Sequence, residues 1–345
     1  MTRTTTVQRL PRWAWPLSAV VVLVALTLGV SIGAVSIAPS AVFQEITSHI
    51  FNFTSHQTSA QSAIIWQLRL PRVLLAFVVG SMLASAGCAY QGTFRNPLAD
   101  PYLLGVSAGA GLGATIAIIN SISAPRWLLP LAAFIGALGA VSLTYTLGRS
   151  AIAGRSSTSL ILAGVAVASL LTALQTLLQQ QNTEKIREIY SWVLGRLSTS
   201  GWSDVALVTP YIALCILILL KYRRVLDVFA VGDDEALTMG LPVARARGAI
   251  IIAASLGTAA AVSVTGLIGF VGIIVPHTLR LIVGNSYRIL LPLSVIYGGV
   301  FLVLADIIAR TALAPQEISI GVVTALFGAP FFLFVLGSSR NGSIS

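Results

Sequence analysis

The chain alternates long apolar runs with short polar connections. A helix that crosses a lipid bilayer needs about 20 predominantly apolar residues, and the pattern predicts ten such helices. The predicted spans are residues 14–35, 71–92, 102–119, 128–148, 159–179, 205–220, 249–266, 268–284, 290–309 and 320–337. We therefore expect an all-α membrane protein, a polytopic bundle of about ten transmembrane helices that forms a single domain over residues 1–345.

Composition and charge agree with a membrane location. Of the 345 residues, 56% are hydrophobic and only 9% are charged, against roughly a quarter charged in an ordinary soluble domain. About two thirds of the 21 lysines and arginines fall on the same side of the predicted bundle as the N-terminus. Because cytoplasmic loops carry the excess of these residues, both termini are predicted to be cytoplasmic. The net charge of +10 is scattered among apolar runs, so no nucleic-acid partner is expected.

Two connections are longer than helix packing requires. Residues 182–204 read "NTEKIREIYSWVLGRLSTSGWSD" and predict an outer re-entrant or amphipathic segment, with Trp192 and Trp202 at interface depth. Residues 221–247 read "KYRRVLDVFAVGDDEALTMGLPVARAR". They form the only sizeable hydrophilic region of the sequence and predict a cytoplasmic loop rather than a separate soluble domain.

The motifs of nucleotide and metal chemistry are missing from the sequence. No G-x-x-x-x-G-K-[ST] phosphate loop occurs, and neither Lys185 nor Lys221 follows the required glycines. The histidines His49, His56 and His277 show no ligand spacing among themselves. The chain is therefore not expected to be an enzyme, to hydrolyse ATP by this route, or to hold a cofactor or metal of its own.

Asp306 is the one acidic residue well inside a predicted helix, and it stands four positions before Arg310. Residues four apart share a helix face, so the two side chains can neutralise each other. A role in ion coupling is the alternative, because ion-driven carriers keep acidic groups in the bilayer. His277 follows Pro276, where a histidine more often bonds a carbonyl freed by the kink than titrates. An ion-coupled secondary transporter using Asp306 and His277 stays open, as does a passive channel.

Several spaced motifs resemble one family of membrane proteins. They are "LRLPR" (68–72), "FRNPLADPYLLGVSAGAGLG" (94–113), "GFVGIIVPHTLRLIVG" (269–284), "ADIIAR" (305–310) and "EISIGVVTALFGAPFFLFVL" (317–336). Together they resemble the permease subunits of ABC importers for ferric siderophores, haem and cobalamin. The likeness runs from about residue 14 to residue 338.

The resemblance implies a permease of the bacterial cytoplasmic (inner) membrane that pairs with a second copy or a close paralogue around a central pathway. Two separate ATPase subunits would bind ATP and Mg²⁺ inside the cell, and an extracytoplasmic substrate-binding protein would deliver a metal chelate outside. Transport would follow alternating access. A ferric siderophore is the first expectation for the cargo, then haem, then cobalamin.

The stretch "GDDEALTMGLP" (232–242) has the pattern of a very short helix. Acidic residues in its first turn complement the helix dipole, and a glycine and a proline end it. By resemblance it is the coupling helix that engages the ATPase subunit through the apolar Ala236, Leu237 and Met239, while the alternative is an ordinary solvated loop. The predicted coupling residues are Asp233, Asp234, Glu235, Ala236, Leu237, Met239 and Gly240.

Three arginines mark the outer side of the predicted bundle. Arg69 and Arg72 flank Pro71 at the start of the second span, and Arg310 ends the ninth. A guanidinium group presents a planar fork to carboxylates. By resemblance the three receive acidic residues of the binding protein. The alternative is that they anchor helix ends at the membrane surface.

Pro97 and Pro101 interrupt the helical pattern after the second span. Residues 94–102 are therefore predicted to form an irregular turn, which is tolerated at membrane depth only where protein or water covers it. By resemblance this turn belongs to an inner gate, with a companion constriction at the start of the fifth span. The alternative is a plain turn and an ordinary helix cap. The predicted gate residues are Asn96, Leu98, Thr158 and Ser159.

Overall fold

The computed structural model describes residues 13–33, 35–51, 59–120, 125, 127–150, 157–198 and 201–341, and the regular structure throughout these ranges is helical. A six-residue π-helical turn, Ile64–Arg69, leads into α4, and a 3₁₀ turn, Thr183–Lys185, leads into α8. The helices are α1 (Ala14–Ser31), α2 (Pro39–Phe51), α3 (Ser59–Ala63), α4 (Leu70–Phe94), α5 (Val106–Ile119), α6 (Leu128–Ser150), α7 (Ser157–Gln181), α8 (Ile186–Val193), α9 (Trp202–Val231), α10 (Asp233–Thr238), α11 (Val243–Thr265), α12 (Val271–Val283), α13 (Tyr287–Thr311) and α14 (Ile320–Asn341).

Seven helices in the described ranges are long and apolar enough to cross a membrane. Three shorter apolar helices accompany them, namely α5, α12 and the Ile320–Leu333 part of α14. The predicted all-helical, multi-pass membrane fold is confirmed, whereas the count of about ten spans and the sidedness of the termini remain predictions. The seven long spans are Ala14–Ser31, Ala60–Phe94, Leu128–Gly148, Ser159–Gln181, Trp202–Val231, Val243–Thr265 and Tyr287–Thr311.

Helical structure extends beyond several predicted boundaries. α9 continues to Val231 and α11 begins at Val243, so the predicted loop 221–247 is too long. Its first part is helical because long charged side chains are good helix formers, and only α10 with its short flanks is left as a connection. The second predicted span likewise begins too late, since helical backbone starts at Ser59.

The bundle has two ends, each marked by a short helix. At one end, called the α10 end, α10 joins α9 to α11. At the other, called the α8 end, α8 precedes the start of α9.

α8 is amphipathic as predicted for residues 182–204, with Ile189 buried and Tyr190 exposed. The Trp192 side chain is buried in the protein core, whereas Trp202 is partly exposed and donates to the Trp66 carbonyl at 2.8 Å. The interface depth predicted for the two tryptophans stays a prediction.

α4 lies at the centre of the bundle. Every residue from Val79 to Phe94 is buried, and α9, α11, α12 and α13 pack around this helix. Glycines allow the closest approaches, as is usual between membrane helices. A Cβ on Gly80 would lie 2.3 Å from the carbonyl oxygen of Gly298, and one on Gly87 would lie 2.1 Å from that of Gly272. These contacts leave α4 little freedom to move relative to α12 and α13.

Irregular segments interrupt helices inside the bundle, and two of them in the described ranges bear on the site. The first is residues 95–105. It starts at the α10 end, where Arg95 contacts Asp233. It ends beside α6, where the Thr144 hydroxyl donates to the Leu104 carbonyl at 3.1 Å and a Cβ on Gly105 would lie 3.7 Å from the Cβ of Ala140, near the middle of that helix. The predicted irregular turn therefore reaches well into the bundle, and α5 begins there.

The second irregular segment, residues 266–270, joins α11 to α12. α12 also begins inside the bundle, because a Cβ on Gly272 would lie 3.0 Å from the carbonyl oxygen of Leu83 in the middle of α4. The Tyr102 hydroxyl donates to the Ile268 carbonyl at 3.0 Å and accepts the Ile268 N–H at 3.1 Å. One side chain thus satisfies both backbone groups of Ile268 and ties the two irregular segments together.

Replacing Tyr102 by Phe keeps the ring and removes both hydrogen bonds. A buried backbone group left unpaired costs about 1–3 kcal/mol, so Tyr102→Phe is expected to lower the free energy of unfolding in detergent by at least that order. Denaturant unfolding followed by circular dichroism measures it. The exposed Tyr211 provides the control, and equal stability of Tyr102→Phe and Tyr211→Phe would contradict the proposed role of the hydroxyl.

Candidate functional site

The short helix α10 is held in shape by its own ends. Acidic residues 233–235 occupy its first turn, where negative charge stabilises the helix dipole. At its other end the N–H of Gly240 donates to the Leu237 carbonyl at 2.9 Å, and the N–H of Leu241 donates to the Ala236 carbonyl at 3.1 Å. With Gly240 at φ +75°, these two bonds form a Schellman motif. The predicted self-capped short helix is confirmed.

α10 presents an apolar surface to the outside of the chain. Leu237 is 58% exposed and Met239 is 63% exposed. Ala236 is fully buried, so the prediction that it belongs to this outward side is wrong. With about 3.6 residues per helical turn, Ala236 faces inward when Leu237 faces outward. Two large exposed apolar side chains on a self-capped helix are suited to a groove on a partner.

The carboxylate of Asp233 joins α10 to two other parts of the chain. Its Oδ1 accepts a hydrogen bond from Arg247 Nη2 at 2.7 Å and lies 3.3 Å from Arg95 Nη2. Arg247 belongs to α11, and its guanidinium lies 5.3 Å from the centre of the Phe229 ring in α9. Arg95 ends α4 with a left-handed backbone at φ +51° and opens the first irregular segment. Asp233 is therefore shared between the α9–α11 pair and that segment.

The predicted gate residues Asn96 and Leu98 form a tight turn directly after Arg95. The Asn96 side-chain oxygen accepts the N–H of Leu98 at 2.9 Å, and the Asn96 carbonyl accepts the N–H of Ala99 at 3.1 Å. This is an Asx turn, the geometry favoured where a polar side chain stabilises an irregular backbone. The Leu98 side chain is left exposed by it.

The companion gate residues stand in the first turn of α7. Ser159 is half-buried, and the side chain of Thr158 lies outside the described residues. α7 approaches the first irregular segment farther along, at Gly164, where a Cβ would lie 2.1 Å from the Leu103 carbonyl oxygen. A shared constriction formed by the two predicted pairs therefore stays a prediction.

Four charged side chains form a cluster at the α8 end. Arg72 donates from Nε to Asp306 Oδ1 at 3.0 Å and from Nη1 to Glu317 Oε1 at 2.9 Å. Arg310 Nε lies 3.4 Å from Asp306 Oδ2, and Arg310 Nη2 donates to the Gly29 carbonyl. The predicted pairing of Asp306 with Arg310 is confirmed. Arg72 is an additional and closer partner of the same buried carboxylate.

Arg69 is also used inside the chain. Its guanidinium donates to the carbonyls of Val30, Ser31 and Val35, which include groups left unpaired where α1 ends. Arg69 is only 7% exposed and Arg310 only 6%. Both guanidinium groups are therefore occupied within the chain, and the docking role predicted for these two arginines stays a prediction. The anchoring alternative describes them, because the nearby end of α1 supplies carbonyl acceptors that the sequence pattern did not reveal.

A polar cleft of about 150 Å³ opens beside this cluster, and its walls include Arg72, Arg196 and Glu317. Arg72 faces the cleft but is already bound to two carboxylates. The backbone N–H of Arg196 donates to the Thr265 carbonyl at 2.7 Å. Among the described residues no carboxylate pairs with the partly exposed Arg196 side chain. Arg196 is thus the cleft arginine with an available guanidinium group.

His277 has a structural contact in the described part of the chain. Its ring packs edge-on against Phe331 with centroids 5.7 Å apart, rather than making the predicted hydrogen bond to a freed carbonyl. Across the described ranges, no group of three histidine, cysteine, aspartate or glutamate side chains is placed to hold a metal ion.

Sequence reasoning treats Arg95, Arg196 and Arg247 only as charges that mark topology. Arg95 directly precedes Asn96, and Arg247 follows the acidic start of α10 within the same polar stretch. Pairing of opposite charges within that stretch could have indicated Arg247, whereas Arg95 is distant from Asp233 in the sequence and carries no such signal. No local pattern marks Arg196, because the cleft is assembled from residues far apart in the sequence.

Comparison with known proteins shows close relatives over nearly the whole chain. Residues 21–338 match the FecCD transport family. The chain is 39% identical to the uncharacterized ABC transporter permease YvrB of Bacillus subtilis, covering 93% of this chain and 92% of that protein. It is 38% identical to the hemin transport system permease HmuU of Yersinia pestis, covering 84% and 88%. It is 44% identical to the cobalamin import system permease BtuC of Halobacterium salinarum, covering 79% and 73%.

The solved structures give the same relationship. A solved structure described as an inward-facing metal-chelate type ABC transporter matches the chain with a TM-score of 0.83 and 29% sequence identity. The match covers 95% of this chain and all of that one. The chain therefore belongs to the FecCD transport family. It is a transport permease rather than a catalytic subunit, and the resemblance seen in its sequence motifs is confirmed.

Replacing Asp306 by Asn removes the charge that two arginines share. Breaking a buried ion pair from one side costs about 3–5 kcal/mol, so Asp306→Asn is expected to lower the free energy of unfolding in detergent by that order. Glu317→Gln is the matched control, since Glu317 is 41% exposed and a surface pair contributes at most about 1 kcal/mol. Similar small losses in both variants would show that the buried cluster does not hold the helix ends.

Proposed function

We propose that the chain is the membrane-spanning permease of an ABC importer that moves a metal chelate by alternating access. The observation that carries the proposal is α10, which presents the exposed Leu237 and Met239 at one end of the bundle. Membership of the FecCD transport family and the likeness to a metal-chelate type ABC transporter support it. The names of relatives refer to hemin, cobalamin and Fe(3+)-citrate, which supports a chelate as cargo, with a ferric siderophore ranked first by the motifs.

In this proposal α10 is the coupling helix and its partner is a separate ATPase subunit that holds ATP and Mg²⁺. Leu237 and Met239 enter an apolar groove of that subunit, while Asp233 fixes α10 to its own chain. A second permease copy or a close paralogue completes the pathway, and each permease takes one ATPase subunit. The self-capped form of α10 supports this role because a rigid helix transmits displacement without bending.

The proposal also assigns the sidedness of the molecule. The α10 end and both termini are cytoplasmic, and the α8 end faces the exterior of the bacterial inner membrane. α5, α12 and α14 complete ten crossings with the seven long spans. Support comes from the excess of lysine and arginine on the N-terminal side. The two irregular segments support ten crossings, because each extends a helix, α5 or α12, that is too short to cross the membrane alone.

The first irregular segment provides the inner gate of the proposed pathway. Asn96 fixes the turn through its hydrogen bond to Leu98, and the exposed Leu98 supplies an apolar obstruction. Thr158 and Ser159 at the start of α7 form the companion constriction. An exposed apolar side chain on an irregular segment fits a gate better than a plain turn, whose side chains are usually polar.

Docking of the extracytoplasmic binding protein is assigned to the polar cleft at the α8 end. Arg69 and Arg310 are buried and bound within the chain, whereas Arg196 has an available guanidinium group there. We assign Arg196 to a carboxylate of the binding protein, since a guanidinium fork recognises carboxylates in two-point geometry. The exposed Glu317 keeps the cleft from attracting acidic groups indiscriminately.

The geometry gives no support to ion coupling. Asp306, the carboxylate that a secondary transporter would use, is held by Arg72 and Arg310 in one buried cluster. An acidic group paired with two cations is unsuited to repeated binding and release of an ion. His277 contacts an aromatic ring instead of a second titratable group.

The proposed function is tested by reconstituting the chain with its ATPase subunit and binding protein in liposomes. Uptake of ferric citrate, haemin and cobalamin is measured with ATP on the α10 side. At least one chelate is expected to accumulate with ATP and to fail to accumulate with a hydrolysis-deficient ATPase. Leu237→Asp is expected to abolish most of this uptake, because a charge cannot enter an apolar groove without a large desolvation cost. Accumulation driven by an ion gradient alone would overturn the proposal.

The docking assignment predicts that Arg196→Glu weakens binding of the binding protein at low salt by about tenfold or more, through lost attraction and added repulsion. Binding to the permease in nanodiscs is measured over a series of salt concentrations. Arg187→Glu on the neighbouring α8 serves as a charge-matched control. Equal affinities for the two variants at every salt concentration would remove Arg196 from the docking surface.

A further inference from the structure

The proposed function gives separate tasks to α10 and to the irregular segment 95–105, yet the structure joins them through one carboxylate. We infer that the ion pair between Asp233 and Arg95 carries the movement of α10 to the inner gate, which makes Arg95 a positioning residue for Asn96 and Leu98. This inference rests on the proposed function, because it concerns how the state of the ATPase reaches the pathway. The two residues are 3.3 Å apart between Arg95 Nη2 and Asp233 Oδ1.

Asp233 is well placed to receive the movement of α10. It is the first residue of that helix, so it moves with the surface that engages the ATPase. Arg247 holds the same oxygen at 2.7 Å and is itself stacked on Phe229. α10 and the start of α11 are therefore expected to move as one unit, and the carboxylate of Asp233 displaces its second partner, Arg95, with them.

Arg95 is well placed to deliver the movement to the gate. α4 is buried up to Phe94 and packs closely against its neighbours, so it resists displacement. The helix ends at Arg95, whose positive φ is uncommon for a residue with a side chain, and the N–H groups of Arg95 and Asn96 both donate to the Gln91 carbonyl. Arg95 is therefore the first residue after α4 at which the backbone leaves the helical path. A displacement of the Arg95 side chain acts directly on the turn that holds Leu98.

The ion pair between Arg95 and Asp233 is weak enough to break and reform during a transport cycle. The Arg95 and Asp233 side chains are 45% and 35% exposed, and such partly exposed pairs contribute at most about 1 kcal/mol, which is about a fivefold change in an equilibrium. Arg247 is more buried and closer to Asp233, so it is the permanent attachment. The weaker contact to Arg95 is able to break and reform within a transport cycle.

The inference is tested by the reactivity of a thiol introduced by Leu98→Cys in the assembled complex. The two native cysteines are buried, so a water-soluble maleimide reports mainly on position 98. Labelling rates are measured with the ATPase subunit bound, with and without Mg²⁺ and a non-hydrolysable ATP analogue. ATP is expected to change the rate in the Leu98→Cys background, and Arg95→Gln is expected to reduce that change about fivefold. Arg95→Lys keeps the charge and is expected to retain most of the response.

Two controls separate this effect from a general loss of charge or stability. Arg288→Gln removes another exposed arginine at the same end, one that pairs with Asp227 at 3.1 Å, and is expected to leave the response intact. Asp233→Asn is expected to reduce the response, and adding Arg95→Gln to it should bring little further loss, as residues acting through one contact do.

An equal ATP response in Arg95→Gln and Arg288→Gln would overturn the inference, as would a gate thiol insensitive to ATP in the Leu98→Cys background. Failure of any ATPase subunit to bind the wild-type chain would instead overturn the proposed function.

Discussion

A lipid bilayer offers no water to hydrogen-bond free backbone groups, so a chain can interrupt its helices at membrane depth only where protein supplies partners. The described part of this protein has such interruptions at residues 95–105 and 266–270, and Tyr102 joins these two breaks by bonding both backbone groups of Ile268. Much of the remaining architecture follows from that requirement. α5 and α12 are short because they begin inside the bundle, and the buried α4 packs against the start of α12.

Charge is distributed differently at the two ends. At the α8 end, Asp306, Arg72 and Arg310 form a buried cluster, and Arg69 binds carbonyls at the end of α1. Such groups are costly to separate, which makes this end rigid. At the α10 end, Asp233 shares a partly exposed carboxylate between two arginines. Contacts of that kind are weak and exchangeable, so movement is easier at the end where we propose that the ATPase binds.

The sequence predicts the class of fold because long apolar runs leave few alternatives to membrane helices. It also predicts the short helix α10, since its caps are local and involve residues within one turn of each other. The pairing of Asp306 with Arg310 could be predicted for the same reason, because the two residues are neighbours on one helix face.

Contacts between distant parts of the chain could not be predicted in this way. Arg69 was expected at the surface, but its acceptors are the carbonyls of Val30 and Ser31 at the end of α1 and of Val35 just beyond it. A side-chain pattern carries no information about free carbonyls. Ala236 was expected to face outward because it is apolar, although only the helix phase set by packing determines which apolar residue is buried. The contact of Arg95 with Asp233 spans much of the sequence and needed the fold.

The central claim is that the first irregular segment is a hydrogen-bonded break in the resting protein and a moving part in the working one. Hydrogen–deuterium exchange of its backbone amides, in nanodiscs with the ATPase subunit bound, measures this most directly. The account predicts slow exchange without nucleotide at Asn96, Leu98 and Leu103, whose N–H groups have partners in the chain, and faster exchange when an ATP analogue binds. Rapid exchange in the resting state, or rates that do not respond to nucleotide, would contradict it.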